Sequence, residues 1–204
     1  MKLFPLFLKL KARQCLVVGA GSVAESKIAT LMEAGAQVRV IAPEATARVR
    51  SWARGRKIDW RRRRFRLTDL RDMFLVVAAT SSRELHEQVF KEARRFGVLC
   101  NVVDVPALCD FYYPAVVRRG DLQIAVSTSG QSPALAQRLR RELERQFAPE
   151  YGDWLASVGK AREQILARTH NAEQRKHLLH ALVSEEAFQR FRERSKTRKK
   201  RKEL

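Results

Sequence analysis

Two short stretches of the chain carry residue types suited to joint chemistry: a glycine turn at 19–24 and an aspartate at 104. Gly19-Ala20-Gly21-Ser22-Val23-Ala24 follows an apolar run and opens a segment of helical periodicity, so it has the form G-x-G-x-x-A between a strand and a helix. In such a turn Gly19 permits the tight bend, Gly21 lets the backbone approach a pyrophosphate, and Ala24 allows close helix–strand packing. The opening N–H groups of the helix, around Ser22 and Val23, then face the phosphates with the positive end of the helix dipole. The strand before and the helix after favour dinucleotide binding over a merely structural glycine turn. Asp104 closes the apolar run at 98–103, and in open α/β sheets ligands bind outside the carboxyl ends of the strands. There a carboxylate could take a proton as hydride leaves a substrate. A turn residue before Pro106 is the equal alternative, and position alone leaves both open.

Other polar residues have two readings each. Thr80 ends the run FLVVAAT and is either a cofactor contact or a cap for the helix from Ser82. Ser127, Thr128 and Ser129 precede another helix and could bind a substrate carboxylate, or Ser129 or Ser132 could simply cap it. After the second strand, Ala42 and Pro43 stand where an acid for the adenine ribose is expected, and Glu44 comes late. Either Glu44 or the backbone at 42–44 would hold the ribose. No arginine follows that strand directly to meet a 2′-phosphate, which favours NAD over NADP. His86, His170, His177 and His180 read as surface or interface histidines on helices, and no metal site is expected.

The elements that must hold these residues follow from periodicity. Residues 15–18 read as a buried strand, and 23–33 as a helix with Val23, Ile28, Leu31 and Met32 on one face, stopped by Gly35. Residues 37–41 form a second strand, followed by a helix through Trp52 and a break at Gly55. Residues 58–65 suggest an edge strand, since four consecutive arginines cannot face a core. Residues 74–79 and 98–103 are buried strands around a helix at 82–96. This alternation predicts an α/β fold, a Rossmann-type parallel sheet over residues 1–113.

After Asp104 the rhythm changes. Residues 115–119 and 122–128 flank Gly120-Asp121 as a hairpin, and Leu135, Leu139, Leu143 and Phe147 then recur every four residues on a helix. A hairpin and helix without a core of their own invite a partner, so 114–147 reads as a dimerisation region of a homodimer. Residues 148–194 read as a helical domain with two apolar sets: Trp154, Leu155, Val158, Ile165 and Leu166, then Leu178, Leu179, Leu182 and Val183. The basic end, 195–204, lacks apolar periodicity and reads as a solvated, disordered tail.

Composition narrows the function. Hydrophobic residues make up 45% of the 204, enough for a core, and no apolar run approaches the roughly 18 residues of a membrane span. The apolar start is broken by Pro5 and Lys9 and lacks a cleavage site, which points to a mature cytoplasmic N-terminus. Cys15, Cys100 and Cys109 are odd in number and without metal-ligand spacing, as expected of free thiols in a reducing compartment. The net charge of +19 implies a polyanionic partner: nucleic acid, an anionic membrane, or a small substrate with many carboxylates. No helix-turn-helix or aromatic stacking motif supports nucleic acid.

Taken together, CLVVGAGSVAESK, VIAP, VVAAT, CNVVD-x-P, FYYPAVV and AVSTSGQSP, in this order, resemble the precorrin-2 dehydrogenase/sirohydrochlorin ferrochelatase family, which also forms the N-terminal half of siroheme synthases. The resemblance runs from about Leu3 to Arg145. It implies a Rossmann domain, an interlocking dimerisation region and a helical domain. It also implies NAD-dependent oxidation of precorrin-2, a polycarboxylated tetrapyrrole, to sirohydrochlorin, with Fe²⁺ insertion in some members. On the family's pattern Asp104 is the essential general base, and Ser22, Val23, Pro43 and Glu44 contact NAD. Thr128 stands where some members have a second serine. The chain ends without a methyltransferase region, so precorrin-2 is expected to come from another protein. A basic cleft would suit the substrate's carboxylates, with Arg118, Arg119, Arg138 and Arg141 as candidate partners. The competing readings are a tetrapyrrole chelatase or carrier without dehydrogenase activity, and a redox-sensing Rossmann protein that binds nucleic acid.

Overall fold

The computed structural model describes residues 3–200, with side chains as far as Ser195. The apolar runs form strands β1 (Gln14–Val18), β2 (Gln37–Ile41), β3 (Asp59–Arg61), β4 (Leu75–Ala78) and β5 (Leu99–Val102). They make one parallel sheet in the order β3-β2-β1-β4-β5, crossed by helices α1 (Ser22–Glu33), α2 (Ala47–Arg54) and α3 (Arg83–Arg95). Alternate residues of each strand point to opposite faces, and both faces are covered. Cys15, Val17, Val40 and Val77 pack with Ala24, Ile28 and Leu31 of α1 and Val49 of α2. Leu16, Val18, Val76 and Cys100 pack on the other side with Val89 and Ala93 of α3. The fold is α/β, and the strand order reverses beside β1, where such sheets open a crevice.

The third strand is shorter than its sequence suggests. Only Asp59–Arg61 pair with β2, and the chain then leaves the sheet. The arginines have separate uses there. Arg39 and Arg61 both bond the Asp59 carboxylate, while Arg63 forms a two-pronged pair with Asp69 in the 3₁₀ turn at Leu67–Leu70. Asp69 is buried and also accepts from the Arg66 backbone N–H at 2.9 Å.

The chain divides into two compact units, Met1–Tyr113 and Pro114–Leu204. The second unit starts with the antiparallel pair β6 (Ala115–Arg119) and β7 (Leu122–Val126), closed by Gly120 at φ +55°. Helices α4 (Pro133–Gln146), α5 (Glu150–Arg168), α6 (Ala172–Ala181) and α7 (Glu185–Lys200) follow. Arg119 ties the hairpin to α4, donating from Nε to the Phe147 carbonyl at 2.7 Å and from Nη2 to that of Glu144 at 2.9 Å. These are carbonyls that a helix end leaves open. The packing centre of this unit is aromatic. Phe188 of α7 is buried, with ring centroids 4.4 Å from Tyr151 and 4.6 Å from Trp154. Of the two aliphatic sets read from the sequence, Leu155, Leu166, Leu178 and Val183 are exposed.

The expected disordered tail is corrected in part. Helix α7 continues through Ser195 to Lys200. Lysine and arginine are good helix formers, and their charge suits a helix C-terminus, so absence of an apolar stripe does not end a helix already started on Phe188. Residues 201–204 lie outside the described residues.

The Asp69 pair makes a stability prediction. Burial pushes its carboxyl up, but the Arg63 guanidinium and the Arg66 amide outweigh burial and hold the pKa below its ordinary value. This stabilisation is therefore present above the unfolded carboxyl pKa, roughly 3.9, and is lost as pH falls through the lower folded value. Asp69→Ala is expected to cost about 1–3 kcal/mol at neutral pH, read as a lower urea midpoint. The difference from wild type should shrink in acid.

Candidate functional site

Four strand ends converge at the carboxyl edge of the sheet. The first is the glycine turn after β1. Gly19 has φ +108°, and a Cβ there would lie 2.1 Å from the Ala79 carbonyl oxygen, so no side chain fits. Its N–H donates to the Ile41 carbonyl at 2.9 Å, which ties the turn to β2. Gly21 is the N-cap of α1 without a side-chain cap. A Cβ built on it meets nothing within 4 Å. Bare backbone thus fronts open space at the start of a 12-residue helix, with Ser22 and Val23 exposed and Ala24 buried behind them. The turn fits a pyrophosphate: uncapped N–H groups and a helix dipole, with no side chain in the way.

After β2 comes Ala42-Pro43-Glu44. Pro43 and Glu44 are exposed, and the Ala20 carbonyl accepts from the N–H of Thr46, which caps α2. After β4, Thr80 points its hydroxyl back into its own turn and accepts from the Ser82 N–H at 3.0 Å. Ser82 caps α3 through its own hydroxyl, so Thr80 supports the cap and does not form it. His86 is buried and donates from Nε2 to the Thr80 carbonyl at 2.9 Å, in place of the expected surface position. Its buried ring is a strut under the turn.

After β5 stands Asp104. The strand stops at Val102, so Asp104 does not terminate it but occupies the following turn, exposed, at φ +62°. Aspartate tolerates this left-handed conformation better than most side chains. The turn is held firmly. Asn101 donates from Nδ2 to the Phe111 carbonyl at 2.8 Å, and the Cys109 thiol donates to the Val102 carbonyl at 3.2 Å. Asp110 accepts from the Cys100 N–H at 2.9 Å. Burial pushes the Cys15 thiol up to about 11 and the Cys100 thiol up to about 12, which keeps both protonated and unreactive.

Two further residues escaped the sequence reading. Lys27, on the inner face of α1, sets its ammonium 4.0 Å from the ring centroid of Tyr113. Burial pushes its pKa down, and the Asp104 charge opposes that shift. The Tyr113 hydroxyl is buried without a hydrogen-bond partner, and burial pushes its pKa up. A signal for Lys27 existed: it falls at helical spacing between Ala24 and Leu31, both buried.

The remaining candidates belong to the second unit. Ser132 caps α4, donors and acceptors of Thr128 are spent on Ser132, and Ser127 accepts from the Ser129 N–H at 3.1 Å. Ser129 is exposed at φ +54°. Arg119, offered as a carboxylate partner, is engaged by α4 carbonyls, and Arg138 pairs with Glu142. Among the described residues no group of three His, Cys, Asp or Glu is placed to hold a metal ion, and no helix is long and apolar enough to cross a membrane.

Comparison with known proteins agrees with this geometry. Residues 6–115 match a family model described as NAD(P)-binding, and residues 119–146 match the central region of sirohaem biosynthesis proteins. The chain belongs to this NAD(P)-binding family. Siroheme synthase of Nitrosococcus oceani is 42% identical over 168 residues, covering 82% of this chain and 36% of that protein. The siroheme synthase of Neisseria meningitidis serogroup C is 40% identical over 176 residues, 86% of this chain and 37% of that protein. The chain thus spans just over a third of the length of these curated relatives. A solved structure of SirC, a precorrin-2 dehydrogenase, superposes with a TM-score of 0.78 at 26% identity, covering 91% of this chain and 92% of that one. As in the rest of the NAD(P)-binding family, the cofactor suited to this cleft is a nicotinamide dinucleotide.

Substitution at Gly21 should spare the fold and act on the dinucleotide instead. Gly21→Asp has room for its side chain, and aspartate is itself a good N-cap, so stability should stay within about 0.5 kcal/mol of wild type in a thermal melt. Its carboxylate would meet the phosphates, and calorimetric affinity for NADH should fall at least about 100-fold.

Proposed function

We propose that the chain oxidises precorrin-2 to sirohydrochlorin with NAD as hydride acceptor, and that it does so as a cytoplasmic homodimer. The observation that carries the reading is the likeness to a precorrin-2 dehydrogenase over nine-tenths of both chains, with the glycine turn and Asp104 at one sheet edge. Gly19, Gly21, Ser22 and Val23 would hold the diphosphate, Pro43 and Glu44 the adenine ribose, and the Thr80 turn the cofactor's far side. When bound, the dinucleotide supplies the hydride acceptor. The substrate loses two hydrogens, one as hydride and one as a proton, and Asp104 takes the proton. An exposed carboxylate in a rigid turn suits that task, since it meets substrate without moving and passes its proton to water.

Ser127, Thr128 and Ser129 would present hydroxyls to a substrate carboxylate. Thr128 is less free for this than the others, since its hydroxyl closes the loop onto Ser132. Any insertion of Fe²⁺, as substrate, would call on the same Asp104 to accept pyrrole protons. The homodimer rests on the second unit. A two-stranded sheet is marginal alone, and of its hairpin and α4 only Val117 and Ala136 are buried, while Leu135 is 43% exposed.

Asp104→Asn keeps the size of the side chain and removes the base. It should bind NADH as wild type does and lose about 10²–10⁴ in kcat for NADH appearance with precorrin-2. Turnover near the wild-type rate would remove Asp104 from the mechanism.

A further inference from the structure

Strand β3 delivers a cation to the adenosine end of the cleft. Its successor, Arg62, lies 21 positions from Ile41, the last residue of β2, yet parallel pairing of Ile41 with Arg61 sets it beside the loop that follows β2. Arg62 donates from Nε to the Pro43 carbonyl at 3.3 Å, and the Trp60 indole donates to the Ala42 carbonyl at 3.1 Å. The Ala42 N–H donates in turn to the Arg61 carbonyl at 3.3 Å. The loop expected to face the adenine ribose is therefore pinned from the β3 side, with an exposed guanidinium on it.

Five neighbouring cations have other uses. Arg39 and Arg61 share Asp59, Arg63 holds Asp69, Arg50 bonds the Ala45 carbonyl, and Arg48 lies over the Trp52 ring. Arg62 spends only its Nε, on a neutral carbonyl, and pairs with no carboxylate among the described residues. In dinucleotide folds an acid at the end of the second strand bonds the ribose 2′-hydroxyl and repels a 2′-phosphate, whereas a nearby arginine accommodates it. Here Ala42 stands at the acid's place, Glu44 follows only two residues later, and a guanidinium stands over Pro43 between them. Its planar fork suits phosphate oxygens in pairs.

We propose that Arg62 is a specificity-determining residue that lets this cleft accept NADP as well as NAD. The proposal rests on the reading of the cleft as the dinucleotide site. The test is fluorescence titration of the purified full chain with NADH and with NADPH, for wild type, Arg62→Lys and Arg62→Glu. Wild type should bind both, with NADPH within about tenfold of NADH. Arg62→Glu should shift the affinity ratio against NADPH by at least about tenfold, whatever loss the two share, and Arg62→Lys should recover part of it. Raising salt should erode NADPH binding more than NADH binding in wild type. Wild type that binds NADH but not NADPH, or a ratio unmoved in Arg62→Glu, overturns the proposal and leaves the cleft's assignment standing. Binding of neither dinucleotide by a folded wild type overturns the assignment itself.

Discussion

At Gly19 the end of β1 presses against the end of β4 so closely that the Ala79 carbonyl occupies the space of a side chain. That contact sets the geometry of everything at this edge. A side chain there would push the two central strands apart, or turn the chain away from φ +108° and aim α1 elsewhere. With glycine in place, α1 starts directly over the strand ends and packs back on the sheet through Ala24, Ile28 and Leu31. The turn after β4 is fixed by the same approach, because residue 80 follows the carbonyl that Gly19 touches. His86 and Ser82 then hold that turn from below. One absent methyl group thus positions the opening amides of α1 and the turn after β4 together.

The other side of the cleft depends on polar bonds. Beyond Val102 the chain must reverse and still keep its edge strand paired on the open side. Asn101, Cys109 and Asp110 accomplish this, laying residues 109–111 against β5 through side-chain and backbone bonds. An asparagine is a poor strand former, and its place in the run LCNV makes sense only once its amide is seen to clamp Phe111. Asp104 sits at the tip of the resulting loop. Its left-handed backbone is the local cost of directing a carboxylate outward from a turn fixed at both ends.

The sheet was legible because its signal is local. Strands buried on both faces show as short apolar runs, and the glycine spacing of the first turn encodes its own geometry. The hairpin was legible for the same reason, from Gly120-Asp121 between two alternating stretches. What escaped depends on pairing between distant residues. Arg62 is one of four consecutive arginines with nothing in the sequence to set it apart, and only the register of β3 on β2 brings it to Pro43. Arg119 looks like a free cation until α4 ends beside it, and Phe188 looks like an isolated aromatic until it meets Tyr151 and Trp154. Asp104 lay between these cases: its place after a buried strand could be read, but its turn conformation could not.

The charge excess must be read with these pairings in mind. A net +19 suggests a surface free to attract any polyanion, but several guanidiniums are committed to Asp59, Asp69 and the end of α4. Short-range bonds fix those cations, although their charge still contributes to the long-range field. A large field collects anionic ligands quickly and without much selectivity. Selection calls for groups with donors to spare and a fixed seat, and among the described residues of the first unit the uncapped amides of α1 and the Arg62 guanidinium on Pro43 are of that kind. In the second unit Arg138, Arg141 and Arg145 line one exposed side of α4 at three- and four-residue spacing, with Glu142 holding only the first. Attraction is therefore a property of the whole chain, while discrimination among anions is confined to a few donors that the fold leaves unspent.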